Sequence, residues 1–422
     1  MSKDVKNVPA LRFKGYSDAW EKRKLGETNS YFTDGNYGES YPKESELSDK
    51  ENGVPFLRGS NLRNGELIED NANYITKEKH AELTSGHLVE DDIVLAVRGS
   101  LGALGYVKEE NIDWNINSQL AVIRTDKSEL SGKFLAQFLL SWRGQKELLS
   151  RNTGTALKQL PIKQLKDVPV PIVNLDEQKE ISALFTSIDN LIAATQDKID
   201  ALEQAKRALL QRLFDQSWRF KGYSDPWEKR KLGETNSYFT DGNYGESYPK
   251  ESELSDKENG VPFLRGSNLR NGELIEDNAN YITKEKHAEL TSGHLVEDDI
   301  VLAVRGSLGA LGYVKEENID WNINSQLAVI RTDKSELSGK FLAQFLLSWR
   351  GQKELLSRNT GTALKQLPIK QLKDVPVPIV NLDEQKEISA LFTSIDNLIA
   401  ATQSRLSSLE LLKKALLQDL FI

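Results

Sequence analysis

Two textures alternate along the chain. The first is short apolar runs broken by glycine and polar turns. Asp92-Ile-Val-Leu-Ala-Val97 predicts a strand entered from a charged turn, and Leu120-Ala-Val-Ile-Arg124 predicts another. Val168-Pro-Val-Pro-Ile-Val173 predicts a third, held to a sheet edge because its prolines cannot donate to a ladder. Between them Lys133–Leu149 reads as one helix, with Phe134, Leu135, Phe138, Leu139 and Trp142 on a shared face. Gly35-Asn-Tyr-Gly38, Asn64-Gly65 and Gly99-Ser-Leu-Gly102 punctuate these elements. The second texture begins after Pro171. From Asp176 to Phe214 there is neither glycine nor proline, and Ile181, Ile188, Thr195, Leu202 and Leu209 recur every seven residues. Leu184 and Leu191 add a second row, and Phe185, Ile192, Ile199 and Leu213 a third. This is a helix of roughly 58 Å whose apolar stripe is wide enough to pack on another helix.

Both textures occur twice. Arg12–Gln196 returns as Arg219–Gln403, with Ala19 replaced by Pro226 as the single difference. The next segments, Asp197–Phe214 and Ser404–Phe421, agree at nine of 18 positions yet keep the helical pattern. The stripe therefore recurs at Ile388, Ile395, Thr402, Leu409 and Leu416. Such a period is too long for a solenoid and marks a duplicated domain plus helix. Identity stops inside a helix, as if one half had received a copy of the other's domain. Only Asp215–Trp218 links the first helix to the second domain. The second domain then sits at the far end of the first helix. Two stripes of matching length most simply bury each other; antiparallel packing returns the C-terminus to the first domain.

Composition narrows the chemistry. The 422 residues are 38% hydrophobic and 28% charged, in the range of globular proteins. There is no cysteine, which excludes disulfides, thiolate metal sites and cysteine nucleophiles. Neither a secretory leader nor a bilayer-length apolar run is visible, and a cytoplasmic location is expected. The net charge of −8 runs against a nucleic-acid binder unless the positive side chains gather locally.

Catalytic patterns are missing. No H-E-x-x-H, Walker loop or G-x-G-x-x-G is present. His80 and His87, with copies His287 and His294, form a lone histidine pair without an acidic or cysteine companion to complete a ligand set and read as structural rather than as metal ligands. Gly99-Ser-Leu-Gly-Ala-Leu-Gly105 reads as a tight loop between strands, and Glu90-Asp91-Asp92 as a solvated turn.

Several segments, in order, resemble the type I restriction-modification specificity subunit family. They are Trp20-Glu-Lys-Arg-Lys-Leu-Gly26, Val54-Pro-Phe-Leu-Arg-Gly-Ser-Asn-Leu62, Asp91–Gly102 with Arg98, Gly99 and Ser100 adjacent, Asn117-Ser-Gln119, Gly154-Thr-Ala-Leu-Lys158, and Val168–Leu175 followed by Glu177-Gln178-Lys179-Glu-Ile181. The last is the most specific. The resemblance implies an α+β protein: two mixed α/β target recognition domains, 1–173 and 215–380, separated by two long antiparallel spacer helices, 174–214 and 381–422, with pseudo-two-fold symmetry. It also implies double-stranded DNA as ligand, and two modification subunits as partners that bind S-adenosylmethionine and methylate adenine N6. Restriction subunits, where present, would bring ATP and Mg. No cofactor or metal is expected in this chain itself, and no membrane partner.

Base-edge reading needs paired hydrogen bonds in a groove. That makes Arg58, Asn61, Arg63, Arg98, Asn117, Gln119 and Lys158 candidates, with copies Arg265, Asn268, Arg270, Arg305, Asn324, Gln326 and Lys365. Ser60, Ser100, Thr153 and Thr155, with Ser267, Ser307, Thr360 and Thr362, suit phosphate contacts. Tyr37 and Tyr244 could stack or wedge. Identical domains across a two-fold axis would read an interrupted palindrome. An acidic DNA mimic and a helical scaffold are the rival readings.

Overall fold

The computed structural model describes residues 7–154, 158–361 and 365–422. The chain divides into two compact units: Met1–Gln196 with Ser404–Ile422, and Asp197–Gln403.

The first unit is organised by an antiparallel sheet in the order Tyr31–Asp34, Leu120–Arg124, Ile93–Ala96, Leu104–Tyr106. Its central strands are apolar at every position but the last, Arg124, because both faces are covered. Ile93, Leu95, Ala121 and Ile123 pack with Phe134, Leu135 and Phe138. Val94, Ala96, Leu120 and Val122 pack on the other side with Leu57 and Ile116. Strict alternation of side chains in a strand sends neighbours to opposite faces. A second sheet runs Asn115–Ile116, Val54–Leu57, Asn73–Ile75, Leu47–Ser48, with the first pair parallel. The glycine-rich Gly99–Gly105 stretch is the hairpin between Ile93–Ala96 and Leu104–Tyr106. Pro169–Ile172 pairs with one strand, Glu21–Lys24, in a two-stranded ribbon. The second unit repeats these sheets around Tyr238–Asp241, Leu327–Arg331, Ile300–Ala303 and Leu311–Tyr313.

Two expectations need correcting. Lys133–Leu149 is not one helix but two, Gly132–Leu140 and Trp142–Ser150. Ser141 between them is extended, at ψ 159°, and its hydroxyl oxygen accepts from the Gly144 amide at 3.2 Å. The same hydroxyl donates to the Phe138 carbonyl at 2.6 Å. One serine thus closes one helix and starts the next. Gly144 permits the tight corner, since a Cβ there would lie 2.2 Å from the Phe138 carbonyl oxygen. Past this bend Trp142 turns outward and is 62% exposed. Nor is Glu90-Asp91-Asp92 solvated throughout: Glu90 is exposed in the turn, but the two aspartates are engaged. Asp92 is fully buried and holds Arg124 through two oxygens, at 2.7 and 2.8 Å. Asp91 accepts from the Tyr106 hydroxyl and the Gly132 amide.

The long helix is Leu175–Phe214, and its counterpart Leu382–Asp419. Asn174 caps the first, its side-chain oxygen accepting from the Glu177 amide at 2.9 Å. The stripe is buried at Ile181, Phe185, Ile188, Thr195 and Ile199, while Leu191 in the second row is exposed.

Each unit contains two helix segments running in opposite senses. In the first, Asp189 pairs with Lys413 at 2.6 Å, and Phe421 stacks on Phe185. Phe421 also meets Trp20, Phe134 and Phe138, and its carbonyl accepts from Arg143. The second unit uses the equivalent positions. Lys206 pairs with Asp396 at 2.5 Å, and Phe214 meets Trp227, Phe341 and Phe345. Among the described residues no helix is long and apolar enough to cross a membrane.

Candidate nucleic-acid interface

One end of the first domain gathers five loops that are far apart in sequence. Asn36 bridges to Asn117, so the Tyr37 loop lies against the turn carrying Gln119. A side chain at position 35 would prevent this, because a Cβ at Gly35 would fall 1.9 Å from the Asn117 carbonyl oxygen. The Gln119 side-chain oxygen accepts from the Gly59 amide at 3.1 Å and ties the Arg58–Asn61 loop to the same turn. Arg98 donates to the Ser118 carbonyl at 3.2 Å and bridges to Gln159, which in turn pairs with Thr153. The second domain repeats the arrangement at Asn243–Asn324, Gln326–Gly266 and Arg305–Ser325.

The candidate residues sort by their surroundings. Tyr37 and Tyr244 are exposed, at 66% and 67%. Ser60, Arg98, Ser100, Gln119, Thr153 and Lys158 are also exposed, as are Ser267, Arg305, Ser307, Gln326, Thr360 and Lys365. Arg58 is partly buried; its guanidinium donates to the Asn71 carbonyl, and Nε has no partner. Arg265 repeats this with Asn278. Asn61 is fully buried: its oxygen accepts from the Arg58 amide, and its nitrogen donates to the carbonyls of Ile68 and Asp70. Asn268 is committed in the same way. Asn117 and Asn324 are buried and cap the turn by accepting from Gln119 and Gln326 amides. These asparagines shape the loops. Arg63 and Arg270 are exposed but stand on a separate hairpin, whose Gly65 or Gly272 turn packs on Gly105 or Gly312. Thr155 and Thr362 lie outside the described residues.

Sequence reasoning missed Asn36. Its buried amide donates to Ser85, Asn115 and Ile116 and joins three loops beneath Tyr37. The signal was the residue after Gly35 in a glycine-flanked turn. Desolvation holds the nearby Asp34 carboxyl above its usual range, and the charge of Arg98 opposes the shift. Farther from the loops, burial pushes the Tyr106 phenol up, with Asp91 adding to it. The Arg124 guanidinium is raised chiefly by its hydrogen bonds to Asp92.

The Glu177-Gln178 pair serves the scaffold. Gln178 is fully buried; it accepts from the Ser131 amide and donates to the Glu129 and Val173 carbonyls, all at 2.8 Å. Glu177 is gripped by Arg12 through both oxygens, at 2.7 and 2.8 Å, and by the Trp20 indole. Together they bolt the helix start to its domain.

This construction, loop-rich domains seated on the starts of long helices, is that of a DNA-reading subunit. A family described as the type I restriction modification DNA specificity domain matches twice, over residues 17–204 and 224–411. The chain belongs to that family, whose members recognise DNA and leave catalysis to other subunits. It is 24% identical over 378 residues to the type I restriction enzyme MjaVIII specificity subunit of Methanocaldococcus jannaschii, covering 86% of this chain and 84% of that one. It is 22% identical over 405 residues to the EcoBI specificity subunit of Escherichia coli, covering 90% and 81%. In structure it resembles the type I restriction-modification S subunit from M. genitalium, with a TM-score of 0.61 at 18% identity over 98% of this chain and 99% of that one.

Proposed function

We propose that each recognition domain reads one half-site through its clustered loops, and that the whole site is an interrupted palindrome. In this reading Gln119, Arg98 and Lys158 address base edges, Ser60, Ser100 and Thr153 address phosphates, and Tyr37 stacks or wedges. The carrying observation is the identity of the two copies: the loop residues of one domain are those of the other. Equal residues select equal bases. Across the pseudo-two-fold axis that the family resemblance implies, the two domains meet opposite strands. The half-sites then lie about one helical turn, ~10 base pairs, apart.

Two modification subunits dock on the spacer helices in this reading and supply S-adenosylmethionine. They methylate adenine N6 in the cytoplasm. Restriction subunits, where the system has them, add ATP-dependent cleavage. The boundaries proposed are recognition domains at 1–173 and 215–380 and spacers at 174–214 and 381–422. The family match gives the acidic-mimic and scaffold readings no support.

The test is co-expression with the modification subunits followed by mapping of methylated adenines. A half-site, a gap and its reverse complement are expected. An asymmetric motif or a direct repeat would refute the palindrome.

A further inference from the structure

The histidine pair does have an acidic companion, which the fold supplies from 26 residues away. Thr76 caps the helix Lys77–Glu82, and that helix places His80 on its buried side. The following turn lays His87 against it, with ring centroids 4.3 Å apart. Asp113 arrives on another loop, its amide donating to the Leu88 carbonyl at 2.8 Å. His80 Nε2 is 3.1 Å from Asp113 Oδ1, and His87 Nδ1 is 3.3 Å from the same oxygen. In the second domain His287 and His294 stand 3.1 and 3.5 Å from Asp320 Oδ1.

Proton accounting makes this cluster unusual. His87 Nε2 lies 2.7 Å from the Leu83 carbonyl oxygen, which can only accept, so Nε2 carries the hydrogen. In the neutral ring Nδ1 is then a bare lone pair, and it faces a carboxylate oxygen. His80 is nine-tenths buried, and neither ring nitrogen makes a hydrogen bond even though Nε2 is close to Asp113. Two imidazoles and a carboxylate thus offer three ligand atoms within 4.8 Å of one another. A tetrahedral zinc with ligands at about 2.0–2.2 Å has ligand–ligand edges of roughly 3.3–3.6 Å. The two histidine–aspartate separations in each copy fall near those edges. The hydrogen bond from His87 Nε2 to a backbone carbonyl is the outer contact that orients metal-bound imidazoles.

We propose that each recognition domain binds one divalent transition cation, zinc by preference, through His80 Nε2, His87 Nδ1 and Asp113 Oδ1, and in the second copy through His287, His294 and Asp320. Asp113 is largely exposed, so water takes the fourth position. The cation clamps the turn Leu83–Leu88 to the loop that runs through Asp113 into Asn115–Ile116. That strand leads directly to Asn117 and Gln119. The metal therefore has a structural role, stiffening the approach to the reading loops.

The full chain, stripped with a chelator, is titrated with Zn²⁺ and, for spectroscopy, Co²⁺. Two ions per chain are expected, with visible Co²⁺ bands of low-symmetry tetrahedral type and a rise in melting temperature. Asp113→Asn with Asp320→Asn should abolish uptake, and Asp113→Asn alone should leave one ion per chain. Asparagine tolerates the left-handed backbone at position 113, where φ is 65°, so the variants keep their circular dichroism. Failure of the wild-type chain to take up stoichiometric metal would overturn the proposal. So would uptake that is unchanged in the double variant. A wild-type chain that stays metal-free while NMR finds both imidazoles charged against Asp113 would replace it with an ion-paired cluster.

Discussion

Replacing Glu177 by alanine isolates the joint between domain and helix. The carboxylate is fully buried, and the side chain of its partner Arg12 is only 10% exposed, so solvent screens the pair little. Removal takes two charge-assisted hydrogen bonds from the guanidinium, which keeps its bond to the Asp18 carbonyl, and leaves the Trp20 indole without its acceptor. Breaking one side of a buried pair costs about 3–5 kcal/mol. With a urea slope of about 2 kcal/mol/M, the first unit's midpoint should fall by roughly 1.5–2.5 M. The second copy is an internal control. There Arg219, the partner of Glu384, is 21% exposed, and Trp227 is less covered than Trp20, so Glu384→Ala should cost less. Urea unfolding followed by unit-resolved hydrogen exchange measures both. A loss below about 1 kcal/mol at Glu177, or a larger loss at Glu384, would refute the argument. Arg12→Met combined with Glu177→Leu should recover much of the loss, because it leaves no buried charge.

Tyr37→Ala with Tyr244→Ala should weaken DNA binding by the assembled complex by about 1–3 kcal/mol per ring while leaving the melting temperature unchanged; fluorescence anisotropy checks the first part and calorimetry the second. Phe421→Ala should cost about 3–5 kcal/mol in the first unit alone, since Phe421 packs with Trp20, Phe134, Phe138 and Phe185 there, and Phe214→Ala should do the same to the second. Protection from exchange that drops equally in both units after either substitution would contradict the reciprocal construction.

Repetition and periodicity are legible in the chain alone. The copy at a 207-residue offset needs no coordinates, and neither does the helix ending at Phe214, because apolar spacing and the lack of glycine and proline are local properties. The strands Ile93–Ala96 and Leu120–Arg124 were legible for the same reason. Even the diverged helix tails kept Lys206/Lys413 and Phe214/Phe421, the residues that meet Asp396/Asp189 and the aromatic cores. What depends on distant partners was not legible. Ser141 breaks a smooth helical pattern because its hydroxyl serves two backbones at once. Asn61 and Asn117 looked like free recognition groups, yet burial commits their amides to loop backbone. Asp92 looked solvated until Arg124 came across the sheet, and His80 and His87 looked unaccompanied until a separate loop delivered Asp113. Hydrophobic periodicity is written into neighbouring residues, so the chain alone carries it. Whether a polar group faces solvent or a partner is settled by desolvation and hydrogen bonding in three dimensions, and only the tertiary structure decides that.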